Sequence, residues 1–350
     1  MKRSLWKNIS QAGENRRLYF FRALLGLVIG TGCLAFVLWN LDPLLVVESL
    51  REIRILYLAA AVVLTLIADL IYIYRWKLLL DPVDPVGTAR LFHAAILGHI
   101  ANFLLPVKIG DLLKAYVVSR NEDINPISSF STVTIERTFD AVIVLGLFCL
   151  GLSTLTGIPK WLRSFGILLT GVALALTTLV SVGYRYPHLL KAAGRWVSRP
   201  FSERQRERMD EWIKRFNLGM AAINNPVLVI RTLVLGLVLW VLLALSYHCS
   251  LLALDIRLPI LSSFVLLAAI AFGFGLPSLP ATVGPYQAAI ILCLSAYGLD
   301  KETGLTVSVV TLLSDLVPLA ILSIFLFLKG KSEGILTNRP NGTYHKPSRW

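Results

Sequence analysis

The stretch GHIANFLLPVKIGDLLKAYVVSR, Gly98 to Arg120, decides how this chain is read. It opens as an apolar helix and is interrupted at Pro106, after which Lys108, Asp111 and Lys114 follow in quick succession. Proline removes a helical hydrogen bond and clashes with the preceding turn. A charge at the centre of a bilayer costs roughly 2.5–3.5 kcal/mol on insertion scales, so an intramembrane ion faces a cavity or a partner. Whether this stretch lies in a membrane depends on what surrounds it.

The surroundings are apolar. The chain is 56% hydrophobic and 16% charged, with a mean hydropathy of +0.69, which excludes a water-soluble fold. A helix of roughly 20 residues crosses the hydrocarbon. Full spans are predicted at Tyr19–Asn40, Ile55–Arg75, Thr138–Thr156, Leu162–Tyr184, Val227–Leu254 and Thr303–Leu328. Long helical runs, rather than short alternating segments, specify an all-α polytopic membrane protein and not a barrel.

The net charge of +13 is unevenly placed. Basic residues crowd the N-terminus (Lys2, Arg3, Lys7, Arg16, Arg17), the Tyr184–Pro226 connection and the tail after Leu328. The connections Leu41–Arg54, Pro159–Arg163, Asp255–Pro259 and Asp300–Glu302 are poor in them. By the positive-inside rule both termini are cytoplasmic, and the charge meets anionic lipid rather than nucleic acid. The expected organisation is a basic N-terminus over 1–18, a transmembrane domain over 19–328 and a cytoplasmic tail over 329–350. Within the 185–226 connection, Ser202 and Gln205 read as a capping box. Met209, Trp212, Ile213, Phe216, Met220 and Ile223 then recur at helical spacing, so an amphipathic helix is expected on the inner leaflet, as an interfacial linker, a lipid sensor or a partner site.

This topology constrains the opening stretch. The second span returns to the cytoplasm at Arg75-Trp76-Lys77 and the third leaves from Glu136-Arg137. The intervening segment must therefore begin and end inside, either as a re-entrant hairpin broken near Pro106 and Gly110 or as two short spans. Broken backbone at membrane depth is tolerated only where protein or water covers it. A second apolar segment, interrupted at Pro277, Pro280 and Gly284, lies between the fifth and last spans and enters from the opposite face. Six full spans plus two re-entrant helical hairpins then form an inverted repeat, an arrangement that points to a transporter and to its site.

Asn102, Pro106, Gly110, Asp111, Lys114, Glu136-Arg137 and Asp140 also resemble the first-half signature of the flippase-like family, the membrane region of the lysylphosphatidylglycerol synthases (UPF0104-type integral membrane proteins). Leu276-Pro277, Pro280, Gly284 and Leu299 resemble its second half. The family often carries Arg where Lys108 and Lys114 stand and an acid where Gln287 stands. The resemblance implies a bacterial or archaeal plasma membrane and a lipid-translocating function. Only a short polar tail follows Leu328, so the synthesising domain is not expected.

The residues agree with a lipid substrate. Lys108 and Lys114 are placed to hold a phosphate, aided by the positive end of the returning helix. Asp111 balances that charge or meets an amine. Glu136, Arg137 and Asp140 share one helix face at the cytoplasmic entrance of their span, as a gate or an ion-pair cluster. Asp69 and Asp315 lie deeper and are candidates for ion coupling, or are structural aspartates. No nucleotide-binding or hydrolase motif appears, and no metal cluster or cofactor is expected. The expected activity is lipid transport through a charged intramembrane cavity. The alternative is a glycosyl- or acyl-transferase, or a scaffold for a separately encoded lipid-modifying enzyme.

Overall fold

The computed structural model describes residues 31–39, 42–105, 109–122, 124–155, 157, 159–186, 203–276 and 282–332. Pro106, Lys108, Pro277, Pro280, Ser202, the basic N-terminus and the tail beyond 332 lie outside the described residues. Every regular element among the described residues is helical. In chain order they are α1 Thr31–Leu38, α2 Pro43–Arg51, α3 Ile55–Leu80, α4 Thr88–Leu104, α5 Gly110–Glu122 and α6 Pro126–Gly151. They continue with α7 Lys160–Arg185, α8 Glu203–Gly219, α9 Pro226–Ala253, α10 Ser262–Gly275, α11 Pro285–Ser295 and α12 Lys301–Ser332.

Four of these are long and apolar enough to cross a membrane: α3, Lys160–Ser181 of α7, α9, and Lys301–Leu326 of α12. The pair α1 and α2 makes a fifth if taken as one span, but the two meet at 82°. The expected first span, Tyr19–Asn40, is described only from Thr31, and the segment after it holds a helix where a plain connection was expected. Asp42 starts that helix by accepting a hydrogen bond from Leu44 N–H, with Pro43 at its first position.

The third span also differs from expectation. α6 begins at Pro126, well before Thr138, because Asn125 caps it through Ile127 N–H. Glu136, Arg137 and Asp140 therefore sit near the middle of a 26-residue helix, not at its entrance. They also keep α6 out of the purely apolar set.

The helices pack around a long antiparallel pair, α3 against α9. Arg54 N–H donates to Ala253 O at one end, Ser246 Oγ to Ala61 O in the middle, and Arg231 reaches Tyr74 Oη at the other. Gly236 leaves room for Arg75, whose Nη1 lies 2.5 Å from where a Cβ would stand. One buried core joins α3, α4, α5 and the C-terminal half of α12 through Trp76, Leu91, Val118 and Leu319. Another joins α6, α9, α10 and α11 through Phe148, Leu251, Val265 and Tyr286.

Each interrupted segment folds into two short helices that touch. Gly98 on α4 and Gly110 on α5 approach so closely that a Cβ on Gly110 would lie 1.9 Å from Gly98 O. Gly273 on α10 lies equally against α11, a Cβ there meeting Pro285 O at 3.0 Å and Tyr286 Cα at 3.1 Å. Gly284 has φ of 103°, which favours glycine, and its N–H donates to Gln287 Oε1 at 2.8 Å to start α11. The far ends of α4 and α10 meet through Phe103 and Phe274, ring centroids 5.7 Å apart.

α8 is amphipathic, as expected, but its apolar stripe is turned largely onto the bundle. Phe216 and Met220 pack with Leu79, Ile135 and Val180, and Ser128 Oγ donates to Arg215 O. Trp212 is left outside this contact, 57% exposed.

Candidate functional site

Six of the seven predicted binding residues come together in one ion network. Arg137 makes a two-pronged contact with Asp111, Nε to Oδ2 at 2.8 Å and Nη2 to Oδ1 at 2.7 Å, and approaches Asp140 at 3.5 Å. Lys114 Nζ donates to Glu136 Oε2 at 2.8 Å and to Tyr72 Oη at 2.6 Å, and lies over the Tyr72 and Trp76 rings. Asn102 donates to Asp111 at 3.3 Å and accepts from Gly110 N–H at 2.8 Å. The seventh, Lys108, lies outside the described residues.

Local sequence explains the convergence. Asp111 and Lys114 are one helical turn apart on α5, and Glu136, Arg137 and Asp140 fall within one turn and a residue on α6. Two adjacent helices thus offer complementary charges, and the glycine contact to α4 brings Asn102 over the start of α5.

Sequence reasoning missed Arg75. It was taken as the boundary of a span, yet it is fully buried, pairing with Glu136 at 3.1 Å and Asp140 at 2.7 Å. Among the described residues, Lys114 and Arg137 set against Asp111, Glu136 and Asp140 leave one carboxylate without a cation, a deficit the sequence hid because Lys108 evened the count. Arg75 supplies the missing cation, and unpaired buried charges are strongly destabilising. Trp240 was missed as well; its indole N–H donates to Asp140 Oδ1 at 2.8 Å.

The network forms part of the wall of a cavity of about 410 Å³. Arg75, Asn102, Asp111, Arg137, Asp140, Trp240, Tyr247, Phe274 and Asp315 are among the residues that line it. Asp69, six residues or about 9 Å before Arg75 along α3, also lines it, as do Thr65 and His99. Lys114 and Glu136 stand behind it, both with fully buried side chains. The Arg137 side chain is 37% exposed, the most accessible cation of the network. The cavity therefore presents a guanidinium–carboxylate end and, away from it, an end with Asp69, Asp315, His99 and the Tyr247 hydroxyl, which donates to Asp315 at 3.4 Å. Among the described residues no group of three or more His, Cys, Asp or Glu is placed to hold a metal ion.

Comparison with known proteins agrees with this picture. The model of the lysylphosphatidylglycerol synthase TM region matches residues 23–323. A UPF0104 membrane protein of Methanothermobacter thermautotrophicus is 23% identical over 300 residues, 81% of this chain and 88% of that protein. Glycosyltransferase AglD of Haloferax volcanii is 28% identical over 123 residues, 35% of this chain but 20% of the relative. No solved structure matches. A bundle of apolar helices around a charged cavity, matched by that family model along nearly all of its described length, identifies the chain as a multi-pass integral membrane protein of the lysylphosphatidylglycerol synthase TM-region family.

Proposed function

We propose that the protein moves lipid head groups between the leaflets of a prokaryotic plasma membrane, with the cavity as the head-group site. The observation that carries this reading is the lining, in which ionic side chains from α3, α5, α6 and α12 face one space inside an apolar bundle. Such charges in a membrane mark a substrate or ion pathway. The α4–α5 and α10–α11 pairs are read as re-entrant hairpins of an inverted repeat among six full spans, with both termini cytoplasmic. Their touching arms and the Phe103–Phe274 contact between them support that reading.

Arg137 then contacts the phosphate, since it lines the cavity and is the network's most accessible cation. Asn102, Asp111 and Asp140 orient it. Lys114, Glu136 and Arg75 hold the wall in place from behind, and Lys108 offers a second cation from the break. The test is reconstitution into liposomes carrying fluorescent lipids of several head groups. Head-group-dependent movement is expected. Equal, protein-independent leakage of every lipid in vesicles holding folded protein would overturn the reading.

A second reading draws on one comparison, the likeness to a protein named as a glycosyltransferase. It makes this chain a transferase, or a scaffold for a separately encoded enzyme, acting on polyprenyl-phosphate lipids. Sugar transfer by the purified protein to a polyprenyl-phosphate acceptor would favour it.

A further inference from the structure

We propose that the Asp69–Asp315 end of the cavity binds a monovalent cation, at a subsite separate from the phosphate-attracting end at Arg137. This extends the head-group reading and rests on it for what the cation accomplishes, but not for whether the cation binds.

Charge balance points to the site. Among the described residues, Arg75, Lys114 and Arg137 are matched by Glu136, Asp140 and Asp111, leaving Asp69 and Asp315 as carboxylates lining the same cavity. His99 Nδ1 lies 3.8 Å from Asp69 Oδ1, beyond hydrogen-bond reach. Asp69 is only 7% exposed, and its Oδ2 has no hydrogen-bond partner among the described residues. A buried carboxylate oxygen left without a donor is costly unless the group takes up a proton or a cation occupies the space before it.

The surroundings suit a single positive charge. Thr65, one turn before Asp69, lines the cavity with its hydroxyl engaged by Ser246 at 2.9 Å, and Tyr247 turns its hydroxyl to Asp315. These are hard oxygen donors, suited to sodium or to an alkylammonium group. The two sources share one chemistry: free sodium from solution, or the ammonium of a lipid head group.

The experiment is thermal unfolding of the purified full-length protein, titrated separately with sodium chloride and with ethanolamine hydrochloride. Tetraethylammonium chloride, bulky and without N–H donors, holds ionic strength constant. A ligand that binds only the folded state raises the melting temperature in a saturable manner. Wild-type protein is expected to show such a rise with at least one of the two cations, and which one acts identifies the source. Asp69→Asn and Asp315→Asn should each raise the half-saturating concentration at least about tenfold, equivalent to about 1.4 kcal/mol of binding. Asn keeps the shape, and a monodisperse elution profile checks folding; if one variant fails to fold, the other decides. A saturable rise lost in the variants stands even if the protein moves no lipid. No rise with either cation, or a rise unchanged in the folded variants, overturns the proposal.

Discussion

At the residue scale, two cations of the network differ in what surrounds them. The Lys114 side chain is fully buried between Glu136 and the rings of Tyr72 and Trp76. Removing one partner of a buried pair leaves the other charge uncompensated and costs about 3–5 kcal/mol. Lys114→Met is therefore expected to lower the melting temperature sharply. Lys114→Met with Glu136→Leu should regain part of that loss, because the charge count balances again, Arg75 keeping Asp140 and Arg137 keeping Asp111; a double variant no more stable than the single one would contradict this. Arg137 is partly exposed, and a lysine in its place keeps a cation beside Asp111, so no carboxylate is stranded. Arg137→Lys should leave stability nearly unchanged, yet lower lipid movement several-fold, because an ammonium cannot make the two-pronged contact. The sequence marked both positions as charged, Lys114 at a hairpin and Arg137 at the cytoplasmic entrance of a span. It could not rank them, since accessibility depends on which helices stand in front.

At the element scale, the interrupted segments are held as pairs by glycine. Gly110→Ala would push a Cβ into Gly98 O and the Asn102 side chain, and Gly273→Ala would press on Pro285 O and the Tyr286 backbone. Overpacking of this kind costs typically about 1–3 kcal/mol, and more where only backbone can yield. Gly110→Ala is expected to reduce both the yield of monodisperse protein and lipid movement. Gly146→Ala and Gly171→Ala are the controls, since nothing lies within 4 Å of the added group. Those helical positions should be neutral or gain up to about 1 kcal/mol. Equal losses at all of these glycines would refute the close-contact explanation. The proline and glycine spacing had already revealed where the helices break. It carried no information on which glycines touch the opposite arm.

At the scale of the whole molecule, the proposed inverted repeat makes a labelling prediction. In a background with Cys33, Cys149, Cys249 and Cys293 replaced by Ala, Leu105→Cys and Leu276→Cys stand beside the two breaks. Leu105→Cys should react with an impermeant maleimide from the cytoplasmic side and Leu276→Cys from the outside. The same sidedness at both would remove the inverted arrangement, though not the bundle. α8 teaches a related lesson. Its periodicity was plain in the sequence, but an apolar stripe suits a lipid surface and a neighbouring helix equally well. Leu79, Ile135 and Val180, distant in sequence, take up much of that stripe.

The sequence by itself determined that this is a helical membrane protein, where most of its long helices run, and which charged residues stand among them. Those properties follow from local composition and the period of the helix, which any short window records. Only the tertiary structure decided that Arg75 joins the network and that Lys114 lies behind the cavity wall while Arg137 faces it. It likewise brought Asp69 and Asp315 to one space. Each of those outcomes depends on pairing between segments far apart in the chain, as between α3 and α12, and on the burial that such pairing imposes on a charge.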